Sequence, residues 1–119
     1  MTRIVLQGAR YPGDIAFEHG VITQIGTVTP KSGDIKVRID GDIVTPGLIN
    51  THHHLYQWMT RGHASGCDLF QWLTTLYPIW GRMNVEDVYA AALVGLSELA
   101  MTGCTTASDH HYIVPNNDD

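Results

Sequence analysis

Cysteine is scarce in this sequence. Cys67 and Cys104 are the only two in 119 residues, and no CxxC spacing relates them. That excludes a disulfide framework and a thiolate zinc cluster, and leaves reduced thiols in a cytoplasmic protein as the expectation. Basic residues are few as well: seven Lys and Arg stand against twelve Asp and Glu, for a net charge of −5. A chain so poor in cations lacks the patch that nucleic-acid backbones need, so no nucleic-acid partner is expected. No apolar run reaches the roughly 18 residues of a membrane helix, and no charged-then-apolar leader opens the chain. Repeats and low-complexity tracts are absent too. The apolar share of 44% is ordinary for a globular protein. At this length the chain is one small domain or part of a larger one.

The first forty residues read as short strands split by turns. Arg3–Gln7, Asp14–Glu18, Val21–Ile25 and Ile35–Ile39 place apolar residues at alternate or near-alternate positions. Gly8, Pro12-Gly13, His19-Gly20, Pro30 and Ser32-Gly33 punctuate them. Glu18-His19-Gly20-Val21 reads as a tight hairpin, which makes His19 a turn residue rather than a ligand. Asp40-Gly41-Asp42 turns the chain again.

The stretch from Val44 to Gln57 organises the rest of the chain. Ile43, Val44, Leu48 and Ile49 have the aliphatic character of a buried parallel strand, and Pro46, lacking an N–H, fits its start. His52, His53 and His54 come directly after. On a strand, residues two apart point the same way, so His52 and His54 present two imidazoles to one side and His53 faces the other. Two imidazoles converging from one strand are half of a zinc site. A bare His-x-His is met equally by a loop cluster; the Pro-Gly and the apolar run before it favour metal.

Pro46-Gly47-Leu48-Ile49-Asn50-Thr51-His52-x-His54 resembles the first barrel strand of the amidohydrolase superfamily, metal-dependent hydrolases on a (β/α)8 barrel. The resemblance implies that His52 and His54 bind one divalent metal ion, zinc, at the catalytic end of the barrel. Gln57 resembles the His-x-His-x-x-Gln form of the guanine deaminase and triazine hydrolase branches. The implied fold is α/β: residues 1–42 are part of a composite β-sandwich, and residues 43–119 are the first two βα units of the barrel. Since such a barrel takes roughly 250 residues, an N-terminal fragment is expected, ending in the polar tail Pro115-Asn-Asn-Asp-Asp119. The sandwich strands that a fragment lacks would leave exposed, aggregation-prone edges.

Residues Trp58 to Cys67 read as a loop over the active site, where Arg61 and His63 could touch ligand but solvated positions are favoured. Asp68 caps the next helix, with Gln71 completing a variant capping box. Leu69, Trp72, Leu73, Leu76 and Tyr77 follow at helical spacing, and Pro78 ends the pattern. Periodicity alone makes Trp72 a core residue. Trp72-Leu73-x-x-x-x-Pro78 also resembles a segment of nucleoside-type deaminases in which the tryptophan lines the substrate pocket and a later glutamate holds ribose. Trp80 stands at that glutamate's place, and an indole accepts no hydrogen bond from a diol, which favours a free base. Asn84 caps a second helix, with Glu86 and Asp87 in its first turn and Gly103 at its C′ position. Cys104 to Asp109 reads as the second barrel strand, followed by His110, His111 and Tyr112.

Together these segments are most similar to the 8-oxoguanine deaminase branch. The resemblance implies hydrolytic deamination of a small-molecule purine base by a metal-activated water. His52 and His54 would hold the metal, while Gln57, Trp72, His110 and His111 would contact substrate. The proton shuttles and remaining ligands would lie on later strands, so the chain alone is expected to be inactive. The full-length protein is expected to be cytoplasmic, with no membrane partner and a possible homo-oligomeric state. Triazine, cytosine-like or guanine aminohydrolases remain alternatives, as does a non-catalytic zinc-binding or interaction fragment.

Overall fold

The computed structural model describes residues 2–115, so most of the polar tail lies outside the described residues. The chain divides into two compact units, Met1–Pro46 and Gly47–Asp119.

The first unit is a four-stranded sheet of β1 (Ile4–Gln7), β2 (Asp14–Glu18), β3 (Val21–Gly26) and β4 (Ile35–Arg38), in the order β3-β2-β1-β4. β1 runs antiparallel to β2 and parallel to β4. The β2–β3 hairpin turns on His19 and Gly20, whose φ angles are +52° and +76°. Two positive φ values in a two-residue loop match the right-handed strand twist, and glycine meets the second without steric cost. Alternation sends Val5 and Ala16 inward onto Val28, which together form a small core. The edge strands β3 and β4 stay exposed, with Val21, Ile22 and Ile35 each more than half accessible.

The second unit carries β5 (Leu48–His53), a 3₁₀ helix (Leu55–Thr60), α1 (Leu69–Trp80), α2 (Val85–Met101) and β6 (Cys104–Asp109). β5 and β6 pair in parallel, the connection that a helical crossover permits. Both helices lie between the two strands, so among the described residues the second unit of the expected pair is represented by its strand alone. Both capping boxes form. Asp68 accepts from the Gln71 N–H at 2.8 Å, and Asn84 accepts from the Asp87 N–H at 2.8 Å. Gly103, at φ +86°, closes α2 one residue past its C-cap Thr102.

Four expectations need correction. β5 begins at Leu48, and Ile43 belongs to the first unit through a bridge to Tyr11. Leu48 and Ile49 are not buried: they are 61% and 69% exposed, because this unit's core forms elsewhere. That core is Tyr56, Leu76, Trp80, Met83 and Ala91, which gathers the 3₁₀ helix against the two α-helices. The supposed loop after the histidines begins as that 3₁₀ helix, which buries Leu55, Tyr56 and Thr60. Finally, Pro78 does not end α1. It sits in the last turn, where only one backbone hydrogen bond is forfeited, and the two further residues bring Trp80 to full burial.

Candidate functional site

β5 and the residue that follows it deliver the three histidines in the order that alternation dictates. His52 and His54 approach each other with their Nε2 atoms 3.2 Å apart and their rings edge to face at 76°. His53 turns to Trp58. The indole N–H donates to His53 Nε2 at 3.3 Å, and the two rings are nearly parallel at 5°. Because that nitrogen accepts, the proton of a neutral His53 sits on Nδ1, and Nδ1 is buried without a partner. The lone pair of His53 is therefore spent on Trp58.

The end of β6 braces this arrangement. Asp109 Oδ1 accepts from the Leu55 N–H at 2.9 Å, fixing where the chain leaves the histidines. Asp109 Oδ2 lies 3.6 Å from His111 Nδ1. The His110 carbonyl accepts from His54 Nδ1 at 2.8 Å, and His110 Nε2 donates to the Thr51 carbonyl at 3.1 Å. With its proton on Nδ1, His54 keeps the lone pair on Nε2, the atom that faces His52.

Two ligands each about 2.0–2.1 Å from one zinc ion stand roughly 3.2–3.4 Å apart at a near-tetrahedral angle. The 3.2 Å spacing of the two Nε2 atoms falls within that range. The pair fits as half of a metal site and not as a whole one. Catalytic zinc takes about three protein ligands, and among the described residues no group of three or more His, Cys, Asp or Glu is arranged to hold an ion.

Beside the pair opens a cavity of about 460 Å³, whose walls include His52, His54, Gln57, Arg61, His63 and Trp72. Gln57 and Trp72 thus share one space with the histidines. His110 and His111 do not line it; their polar atoms face Thr51, His54 and Asp109. Arg61 and His63, read from sequence as solvated loop residues, stand at the wall. Arg61 also lies 4.2 Å over the Trp58 ring and pairs with Glu98 at 3.3 Å.

Trp80 does not border this cavity, which corrects its expected place beside a ribose. It is fully buried, donating its indole N–H to Thr60 Oγ1 at 2.9 Å. Its neighbour Tyr56 accepts from the Gln57 side-chain amide at 3.3 Å. Burial first, then a hydrogen bond with Tyr112, push the Tyr56 hydroxyl far above the ordinary tyrosine range, so it is a neutral phenol near pH 7.

The sequence profile described as "Amidohydrolase family" matches residues 43–118. The 8-oxoguanine deaminase of Pseudomonas aeruginosa is 53% identical over 75 residues, covering 61% of this chain and 17% of the relative. The 5-methylthioadenosine/S-adenosylhomocysteine deaminase of Thermoanaerobacter pseudethanolicus is 39% identical over 106 residues, covering 85% of this chain and 24% of the relative. The chain therefore spans less than a quarter of these curated relatives. A crystal structure of an amidohydrolase from an environmental sample of the Sargasso Sea superposes with a TM-score of 0.78 at 25% identity. It covers 97% of this chain and 28% of the solved one.

Proposed function

Because the chain belongs to the amidohydrolase family, we propose that it carries half of the metal site, and part of the substrate pocket, of an enzyme that deaminates a purine base of the 8-oxoguanine kind. The observation that carries the reading is the 3.2 Å approach of His52 and His54 at the wall of a cavity shared with Gln57 and Trp72. A divalent metal, zinc in this reading, would be held by His52 and His54 and would supply a nucleophilic water near neutral pH.

The chain's own residues do the rest of the work in view. Gln57 is tethered through one N–H to Tyr56, which leaves its carbonyl and second N–H for the mixed donor and acceptor edge of an oxidised purine. Trp72 offers a flat wall to a flat ring. The similarity to an 8-oxoguanine deaminase supports the free base as substrate. With two nitrogen donors the 119-residue chain is expected to be inactive alone, and catalysis belongs to a form of the protein that supplies further ligands.

A ribosyl substrate is the second reading. It is favoured by the similarity to a deaminase of methylthioadenosine, and the burial of Trp80 removes the argument against ribose. Ammonia release from 8-oxoguanine, guanine, cytosine-like rings and methylthioadenosine, measured on an active form, separates the two. Preference for 8-oxoguanine is expected; preference for the nucleoside would overturn the free-base reading.

A further inference from the structure

We infer that His110 is a positioning residue for the ligand pair, clamped onto β5 so that its carbonyl decides which nitrogen of His54 faces His52. The inference rests on the reading of His52 and His54 as metal ligands and departs from the expectation that His110 contacts substrate. Three contacts carry it, each to a different residue of one short stretch. The His110 backbone N–H donates to the His53 carbonyl at 2.8 Å. Its ring Nε2 donates to the Thr51 carbonyl at 3.1 Å. Its own carbonyl accepts from His54 Nδ1 at 2.8 Å.

The chemistry of these groups fixes the direction of each bond. A carbonyl only accepts, so both ring nitrogens that face one carry a hydrogen. A neutral imidazole has a single N–H, so His54 Nε2 is left bare and points at His52 Nε2, 3.2 Å away. That bare nitrogen accepts from a His52 Nε2–H in the metal-free chain and is ready to ligate when a cation takes the hydrogen's place, so the clamp holds His54 ready for a metal and against its own ring rotation. His110 has meanwhile used its ring donor on Thr51, which leaves no ring N–H for a substrate. A ligand that loses such an outer partner typically binds its metal about 10–100-fold more weakly.

The test uses zinc, titrated into the chain against a chromophoric chelator, with wild type, His110→Ala and His110→Gln. The glutamine amide keeps an N–H where Nε2 stood. Alanine keeps the backbone carbonyl and removes only the ring's anchor on Thr51, so zinc affinity is expected to fall towards the roughly 10–100-fold that a lost outer partner costs, and to be largely recovered in His110→Gln. Unchanged affinity in His110→Ala would overturn the inference, including the case in which an active form shows only a raised KM, which would return His110 to substrate contact. A purely structural role would lower the unfolding temperature and leave the affinity of the folded fraction intact. Should His110→Ala fail to fold, the nitrogen-15 spectrum of the wild-type imidazoles still decides. Metal-free His54 should carry its hydrogen on Nδ1, and a hydrogen on Nε2 would sink the clamp. If wild type binds no zinc, the ligand reading fails, and the His54 tautomer still judges the clamp by itself.

Discussion

Gln57 and Tyr56 are neighbours in sequence that face different surroundings, joined by a hydrogen bond of 3.3 Å from the Gln57 amide to the Tyr56 hydroxyl. Tyr56 is fully buried in the core, whereas Gln57 lines the cavity. The bond ties a residue that lines the cavity to one packed in the core. Gln57→Ala should therefore lower kcat/KM for 8-oxoguanine about 10–100-fold, the cost of one lost buried hydrogen bond of roughly 1–3 kcal/mol. Tyr56→Phe keeps the ring and frees the amide, so it should blunt discrimination between bases more than it lowers the rate on any one. Equal losses on every base in the panel would mean that Gln57 only braces the turn.

His52 and His54 should each prove necessary for metal, and His53 should not. His53 has given its lone pair to Trp58, whereas the other two point at a common centre. Metal content of the alanine variants, measured by elemental analysis, should fall for His52→Ala and His54→Ala and hold for His53→Ala. Loss with His53→Ala but retention with His54→Ala would reverse the strand register.

Trp80 should matter to folding and not to choice of substrate. Thr60→Val removes the acceptor of its buried indole N–H, and an orphaned buried donor costs about 1–3 kcal/mol. Chemical denaturation should show that loss, while the ratio of activity on free bases to that on nucleosides should stay as in wild type. A shifted ratio would return Trp80 to the pocket.

Tyr56 sets an alkaline limit. Its folded pKa lies above the unfolded value of about 10, so the folded state prefers the protonated phenol. The stabilisation is fully present below about pH 10 and is lost as pH rises through the folded value. Tyrosinate absorbance should show the latest phenol ionising together with unfolding, and Tyr56→Phe should remove that last step while leaving the smaller upward shift of Tyr77. Simple titration of all tyrosines in the ordinary range would contradict it.

Signals in the sequence are legible where local chemistry decides. The His19-Gly20 turn needs two positive φ angles, both helix caps use side chains three residues apart, and period-two alternation parts His53 from its neighbours. Features that depend on distant partners leave no such mark. Pro78 continues its helix because burying Trp80 outweighs one lost hydrogen bond. Leu48 and Ile49 look like core residues yet lie exposed, because the core of this unit gathers around Tyr56 and Trp80. The contacts of Trp58 with His53, and of His110 with Thr51, cross five and 59 positions, and no spacing rule reaches the second.

Gly95 lies within α2, and a Cβ there would come within 2.7 Å of the Trp58 ring and 2.8 Å of Leu55. The helix is thus notched at the one point where the indole backing His53 needs room. A library randomised along α2 should accept wide variation on its outer face and return almost only glycine at position 95. The first casualty of a larger residue would be the seating of Trp58 behind the histidine strand, so an engineer who chose sites by distance from His52 and His54 alone would overlook a position with no room for a side chain.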